Sequence, residues 1–259
     1  MTRENFNYKA VAVAIASFLG FWLLMRGTDF ELSASQQLLA LAGGLVLFLA
    51  AIIFLYRDYE VPPPTNAPNE IAEPGIARFL FSSTLSAPLW LGARVFLGYE
   101  WLDAGRHKVT EDAWMDGGTA LQGYWSRAVA IPEEGSPRAA WGVYREMLQY
   151  MLDHEWYTWF AKIIAVGEVL IGIGLLVGAL TGIAAFFGAT LNMSFLLAGT
   201  ISSNPILFFV AIFIILGWRV AGWIGVDRFL LPLLGAPWTG GHMTTETPKV
   251  TPTTASLQR

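Results

Sequence analysis

Six stretches of the chain are apolar over roughly the 20 residues that a helix needs to cross a bilayer. They fall at residues 9–25, 37–56, 85–104, 156–180, 182–201 and 205–224. Arg3 and Lys9 precede the first, as in a secretory leader. It closes on Trp22-Leu-Leu-Met25-Arg26 and not on a small-residue cleavage site, so the pattern predicts an uncleaved span. Little more than Thr181 separates the fourth stretch from the fifth, and Ser202-Ser203-Asn204 the fifth from the sixth. Connections this short predict antiparallel neighbours. Asn204 before Pro205 predicts a helix start, with the asparagine side chain as its cap and proline in the first turn.

Two segments break the apolar pattern. Residues 57–78 hold five prolines among acids and no hydrophobic period, which predicts an extended linker. Residues 105–155 are polar and aromatic, with Ala120, Leu121, Tyr124, Trp125 and Ala128 at helical spacing across 119–129. Trp141, Tyr144, Leu148 and Met151 repeat that spacing, and Pro132 to Pro137 supplies the turn between. These features predict two short amphipathic helices lying over the mouth of a bundle. Two readings of them stand: a cap that seals helix ends, and a lid that closes a ligand pocket.

The expected architecture is all-α and integral to the membrane, with six transmembrane helices. Residues 1–56 form an N-terminal hairpin, 57–78 the linker, and 79–235 a four-helix bundle carrying the helical insertion 105–155. Residues 236–259, rich in Thr, Gly and Pro, form a flexible tail. Composition agrees: 54% of residues are hydrophobic and only 14% charged, against about 25% charged in a soluble domain. Lys and Arg in the short flanks (Arg3, Lys9, Arg57, Arg78, Arg219, Arg228) place both termini in the cytoplasm and the insertion outside the cell membrane. The absence of cysteine excludes disulfides, thiolate metal centres and dithiol relays. A net charge of −4 with no basic block argues against nucleic acid as a partner. The three histidines all lie outside the span centres, so the residues offer no haem or metal site within the bilayer.

Charge inside hydrocarbon costs at least about 2.5–3.5 kcal/mol, so each instance needs a reason. Arg94, Glu168 and Asn192 fall near the centres of the third, fourth and fifth spans. Consecutive antiparallel helices bring them to one level, which predicts an Arg94–Glu168 ion pair with Asn192 beside it. Such a pair either fixes helix register or forms a polar site for a substrate, a quinone headgroup or a proton. Arg94, Gly98, Trp101, Gly105 and Lys108 form a single helical stripe, with Glu100, Asp103 and His107 on another. Together they predict an outward-facing polar and aromatic vestibule. Gly174 and Gly178 form a small-residue contact motif, continued by Ala184, Gly188 and Asn192.

These residues resemble the DoxX family, and within it the DoxD-type membrane subunits of thiosulfate:quinone oxidoreductases. The likeness covers about residues 80–235. It is carried by Arg94-Val-Phe-Leu-Gly98-Tyr-Glu-Trp101 with Gly105-Arg-His-Lys108, by Gly167-Glu168-Val-Leu-Ile-Gly172, by Gly117 to Trp125, and by Ala221 to Arg228. It implies an integral-membrane subunit of a quinone-linked oxidoreductase, possible substrates including thiosulfate, with a second protein subunit and a diffusible quinone as cosubstrate. Glu168 and Arg94 are then the candidate catalytic groups. Lys108, Arg106, Trp101, Asn192 and Trp125 are the candidate substrate-binding groups, with an anion expected near Arg106 and Lys108. The alternative is a non-catalytic subunit that assembles partners in a larger membrane complex. An ion or small-molecule pathway, drawing on the same midplane charges, is a third reading.

Overall fold

The computed structural model describes residues 3–62 and 73–236, with side chains from Tyr8 onward. Among these, every regular element is helical. The central part of the expected linker and the expected flexible tail beyond Ala236 lie outside the described residues.

Helices α1 (Arg3–Arg26) and α2 (Ala34–Tyr56) form an antiparallel hairpin. Ser33 starts α2 with a reciprocal cap: its backbone amide donates to Gln36 Oε1 at 2.9 Å, and its hydroxyl accepts from the Gln36 amide at 3.4 Å. The two helices cross where glycines face each other. A Cβ on Gly44 would lie 2.6 Å from the Gly20 carbonyl oxygen, and one on Gly20 would lie 3.1 Å from that of Gly44. Beyond that seam the hairpin presents Val11, Ile15, Leu38, Leu39, Val46 and Ile53 outward, the surface expected of helices solvated by acyl chains.

The hairpin is not a detached appendage. Helix α1 packs along α4 (Ala87–Thr110), where the Ser17 hydroxyl donates to the Leu89 carbonyl at 2.8 Å. Phe21 stacks on Phe96 with ring centroids 5.9 Å apart. Before α4, α3 (Gly75–Ser82) takes up the last residues of the expected linker, and a 3-10 turn (Thr84–Ser86) leads into α4 at a 68° bend. Helix α4 continues to Thr110, so Arg106, His107 and Lys108 extend the helix and do not open a loop at 105.

The insertion then forms α5 (Asp112–Met115), α6 (Thr119–Val129) and α7 (Gly142–Asp153). Helices α6 and α7 follow the two periodic stretches, and Leu121, Trp125, Ala128, Leu148 and Met151 bury a common core against Ala161 and Ile164 of α8 (Tyr157–Val177). Gly118, at φ +67°, starts this layer hard against the Tyr157 carbonyl, a position with neither the dihedral nor the room for a side chain.

Helix α9 (Thr181–Leu197) returns antiparallel to α8, and α10 (Asn204–Leu216) returns along α9. Asn204 does begin α10, but its side chain donates to the Thr200 carbonyl at 3.1 Å and does not cap the new helix. The sixth stretch is not one helix to 224. It breaks at Gly217, whose Cβ position is 3.1 Å from the Trp90 indole, and resumes as α11 (Trp218–Ala221) and α12 (Asp227–Leu233). Among the described residues three helices are long and apolar enough to cross a membrane, within Tyr8–Arg26, Ala34–Tyr56 and Tyr157–Val177, and the α3–α4 pair, bent by 68°, is a fourth candidate when counted as one span. Helices α9 and α10 are apolar but shorter, at 17 and 13 residues.

Candidate functional site

The register of α4 against α8 decides which polar groups meet. Gly98 faces Leu175 and Leu176, Gly172 faces Leu102, and Gly105 faces Glu168 and Val169. A Cβ on Gly172 would lie 2.5 Å from the Leu102 backbone nitrogen, and one on Gly105 would lie 2.6 Å from that of Val169. The helices therefore touch backbone to backbone, and Glu168 stands level with the Gly105–Arg106 turn of α4. Arg94 is twelve residues away from that level, about 18 Å at 1.5 Å per residue.

The expected Arg94–Glu168 pair accordingly does not form. Arg94 instead binds backbone at the α8–α9 corner. Its guanidinium donates to the carbonyls of Leu175 (2.9 Å), Leu176 (3.4 Å) and Ile224 (2.7 Å). These include orphan carbonyls at the C-terminus of α8, where positive charge also suits the helix dipole. On the other side of the corner, Asp227 accepts from the amides of Leu180 (2.6 Å) and Thr181 (2.8 Å) at the N-terminus of α9. Arg94 and Asp227 thus clasp a tight helix–helix corner. Arg94 therefore lies at this corner and not among the residues lining the Glu168 cavity described next.

Glu168 is paired with Lys108, Nζ to Oε2 at 2.6 Å. Long helical side chains lean toward the helix N-terminus, so Lys108 reaches back from the last turn of α4 into the interior. The Trp114 ring lies over its ammonium at 5.3 Å. Glu168 is fully buried, while the Lys108 side chain keeps 19% of its exposure. The pair forms the floor of a cavity of about 300 Å³. Helix α4 contributes Glu100 and Trp101 to its walls, α9 contributes Asn192 and Phe195, and Trp114 and Tyr124 roof it from the insertion. Thr200, Ser202, Ser203 and Asn204, from the connection between α9 and α10, line it as well.

Hydrogen bonding in this chamber is incomplete. Glu168 Oε1, Trp101 Nε1 and both polar atoms of Asn192 are buried with no partner. Each such group costs about 1–3 kcal/mol unless something satisfies it. The roof, by contrast, is tied down: the Tyr124 hydroxyl meets Thr200 Oγ1 at 2.9 Å, and the Tyr144 hydroxyl donates to the Ser194 carbonyl at 3.0 Å. Burial raises both phenols above the usual tyrosine value, so they stay neutral hydrogen-bonding groups at physiological pH.

Of the residues singled out in the sequence, Glu168, Lys108, Trp101 and Asn192 line this one chamber. Arg106 does not: it points outward and binds Asp103 at 3.0 Å. Trp125 does not either, being buried inside the insertion against Phe160. An anion held between Arg106 and Lys108 is therefore not what the geometry offers, since one cation faces away and the other is neutralised. Glu100, Trp114 and Tyr124 belong to the chamber but were not among the expected ligand-binding residues. Glu100 and Lys108, two helical turns apart with Ala104 between, carry the sequence signal for it. Among the described residues, no group of three or more His, Asp or Glu side chains is placed to hold a metal ion.

No family model, curated protein or solved structure matches the chain.

Proposed function

We propose that the chain is an integral-membrane subunit of a quinone-linked oxidoreductase of the DoxX type, and that the Lys108–Glu168–Asn192 chamber binds the quinone headgroup. In this reading α1, α2, α4, α8, α9 and α10 make six crossings, the last four forming the bundle. The termini are cytoplasmic and the insertion roofs the opposite face. The shortness of α9 and α10 is compatible with this, because non-helical backbone is tolerated at membrane depth where it lines a cavity. The Thr200–Asn204 connection does so.

One observation carries the proposal: four buried, unpartnered polar atoms converge on an aromatic-walled chamber beside a buried ion pair. Their chemistry suits a quinone in both redox states. Lys108, Asn192 Nδ2 and Trp101 Nε1 offer donors to ring carbonyls. Glu168 Oε1 and Asn192 Oδ1 offer acceptors to the hydroxyls of the reduced form. Trp114, Tyr124 and Phe195 provide faces for the ring. Glu168, bonded to Lys108 through one oxygen only, is free at the other to give or take a proton.

The two electrons that reduce a quinone come from the donor, for which the resemblance suggests a sulfur compound such as thiosulfate. The chamber holds two carboxylates, Glu100 and Glu168, against one ammonium, which opposes entry of a dianion. Oxidation of the donor is therefore assigned to a second subunit.

The test is binding of a short-chain quinone to the purified protein, read by quenching of tryptophan fluorescence. Glu168→Gln and Asn192→Leu should each weaken binding about tenfold or more, a loss of about 1.4 kcal/mol, with folded yield unchanged. Wild-type protein that binds no quinone, or variants that bind it equally well, would overturn the reading. Together with a stable co-purifying complex, that result would leave the assembly-subunit reading.

A further inference from the structure

A second cleft, of about 330 Å³, lies at the opposite end of the α8–α9 pair, between the α8–α9 corner, α10, α11 and α12. Leu180, Ile183, Ile215, Trp218 and Leu231 make its walls apolar. Two polar residues also line it. Both Asp227 oxygens are occupied by the amides of Leu180 and Thr181. Thr181 is different: it is fully buried, and its hydroxyl has no partner. An apolar slot with a buried, unsatisfied hydroxyl in its wall is suited to a ligand that is mostly hydrocarbon and partly polar.

The surroundings specify the polar part. Arg219 follows Trp218 directly, with its guanidinium 5.8 Å from that ring, and Arg228 follows Asp227, lying 4.6 Å over Trp223. Both arginines are exposed, and neither forms an ion pair with a carboxylate among the described residues. Asp227, the acid that lines the cleft, is already committed to two amides. The neighbourhood is therefore cationic, and tryptophan beside arginine is the pattern of a headgroup-level anchor. Basic pockets at helix ends attract anionic lipid headgroups.

We propose that this cleft holds one anionic phospholipid, with an acyl chain along Ile183, Ile215 and Leu231 and the phosphodiester between Arg219 and Arg228. The Thr181 hydroxyl donates to the glycerol ester region. The site is independent of the quinone reading, sharing no residue with the headgroup chamber.

The full-length protein in a neutral detergent would be titrated with phosphatidylglycerol, phosphatidylcholine and free glycerol phosphate, with retained molecules counted by native mass spectrometry. The expected result is one retained phosphatidylglycerol, held at least tenfold more tightly than phosphatidylcholine, with no binding or competition by glycerol phosphate. Arg219→Gln with Arg228→Gln should abolish the headgroup preference. Ile183→Trp, which fills the slot from an exposed position, should release both lipids. Arg127→Gln with Arg138→Gln, two exposed arginines of the insertion, should change nothing. Equal retention of the two lipids, binding of glycerol phosphate, or equal loss of preference in the insertion variant would overturn the proposal.

Discussion

Helix α4 carries two inward-directed cations, Arg94 buried and Lys108 half-buried, fourteen residues apart, about 21 Å along the axis, and the protein treats them in opposite ways. Arg94 spends its terminal guanidinium nitrogens on three backbone carbonyls and faces an aspartate that caps the next helix. Lys108 spends its charge on one oxygen of Glu168 and leaves the other oxygen, an asparagine and an indole without partners around open space. The first cluster replaces water that a tight corner has expelled. The second keeps hydrogen-bonding capacity in reserve. Each cluster holds a fully buried charged residue, Arg94 or Glu168, so burial alone does not mark a functional charge. The difference is that the corner leaves Arg94 Nε and the Thr181 hydroxyl unpartnered, whereas the chamber leaves four such atoms on three side chains around one volume.

Arg94→Leu tests this contrast most severely. It strips three carbonyls of their donor and leaves them buried without a partner, at about 1–3 kcal/mol each, so a loss of several kcal/mol is expected, read as a fall in folded, monodisperse yield. Glu168→Gln should leave yield near that of the parent. Comparable damage from both substitutions would erase the distinction between the clusters.

Lys108→Met comes next. It leaves Glu168 buried without a counter-ion, with an expected cost of about 3 kcal/mol in detergent-unfolding measurements. Adding Glu168→Leu should recover most of that, because a buried pair replaced by apolar groups is often nearly neutral. A double variant as unstable as the single one would mean that the pair itself holds the fold.

Gly105→Leu sharpens the comparison differently, by attacking the register that keeps the clusters apart. The site is closed by backbone of Glu168 and Val169, so the helices must separate, at about 1–3 kcal/mol. Chemical crosslinking between α4 and α8 positions would show a shifted pairing; an unchanged pairing would mean that register is set elsewhere.

The smallest effect belongs to the roof. Tyr124→Phe removes the bond to Thr200, worth about 0.5–1.5 kcal/mol, and should speed hydrogen exchange in α6 without global unfolding. The same tie predicts a pH dependence. Burial lifts the Tyr124 and Tyr144 phenols above their usual 10.0. A folded phenol then keeps its proton after an unfolded one has lost it. Roof stability should be complete below about pH 10 and decline as pH rises through the folded values. Protection factors, which correct for the intrinsic rise of exchange with pH, that stay flat across that range would count against the phenols as fasteners.

Much of this arrangement was legible in the residues. Periodicity placed α6 and the core of α7 because their apolar positions recur on one face, and no competing contact overrides them. The stripe from Arg94 to Lys108 does face α8, with Gly98, Trp101 and Gly105 buried along it. The pairing of charges along that stripe was not legible. Counting from the ends of hydrophobic stretches puts Arg94 and Glu168 at one depth, but α4 runs on to Thr110 and slides the register. Lys108, one turn beyond Gly105 on the same stripe, is an expected ligand-binding residue, but the spacing does not show that its side chain reaches back to Glu168. Trp125 and Arg106 misled because residue type says nothing about direction. One faces the core of the insertion and the other faces water.

Sequence by itself determined the apolar helices, read at 9–25, 37–56 and 156–180 and found within 8–26, 34–56 and 157–177, the helical insertion, and the small set of polar residues that hydrocarbon makes costly. Those follow from composition and from periods of a few residues, which are local properties. Only the tertiary structure decided that Glu168 meets Lys108 and that Arg94 serves a corner. That choice depends on where glycine backbones of two helices come into contact, and a shift of one turn there exchanges every partner along the seam.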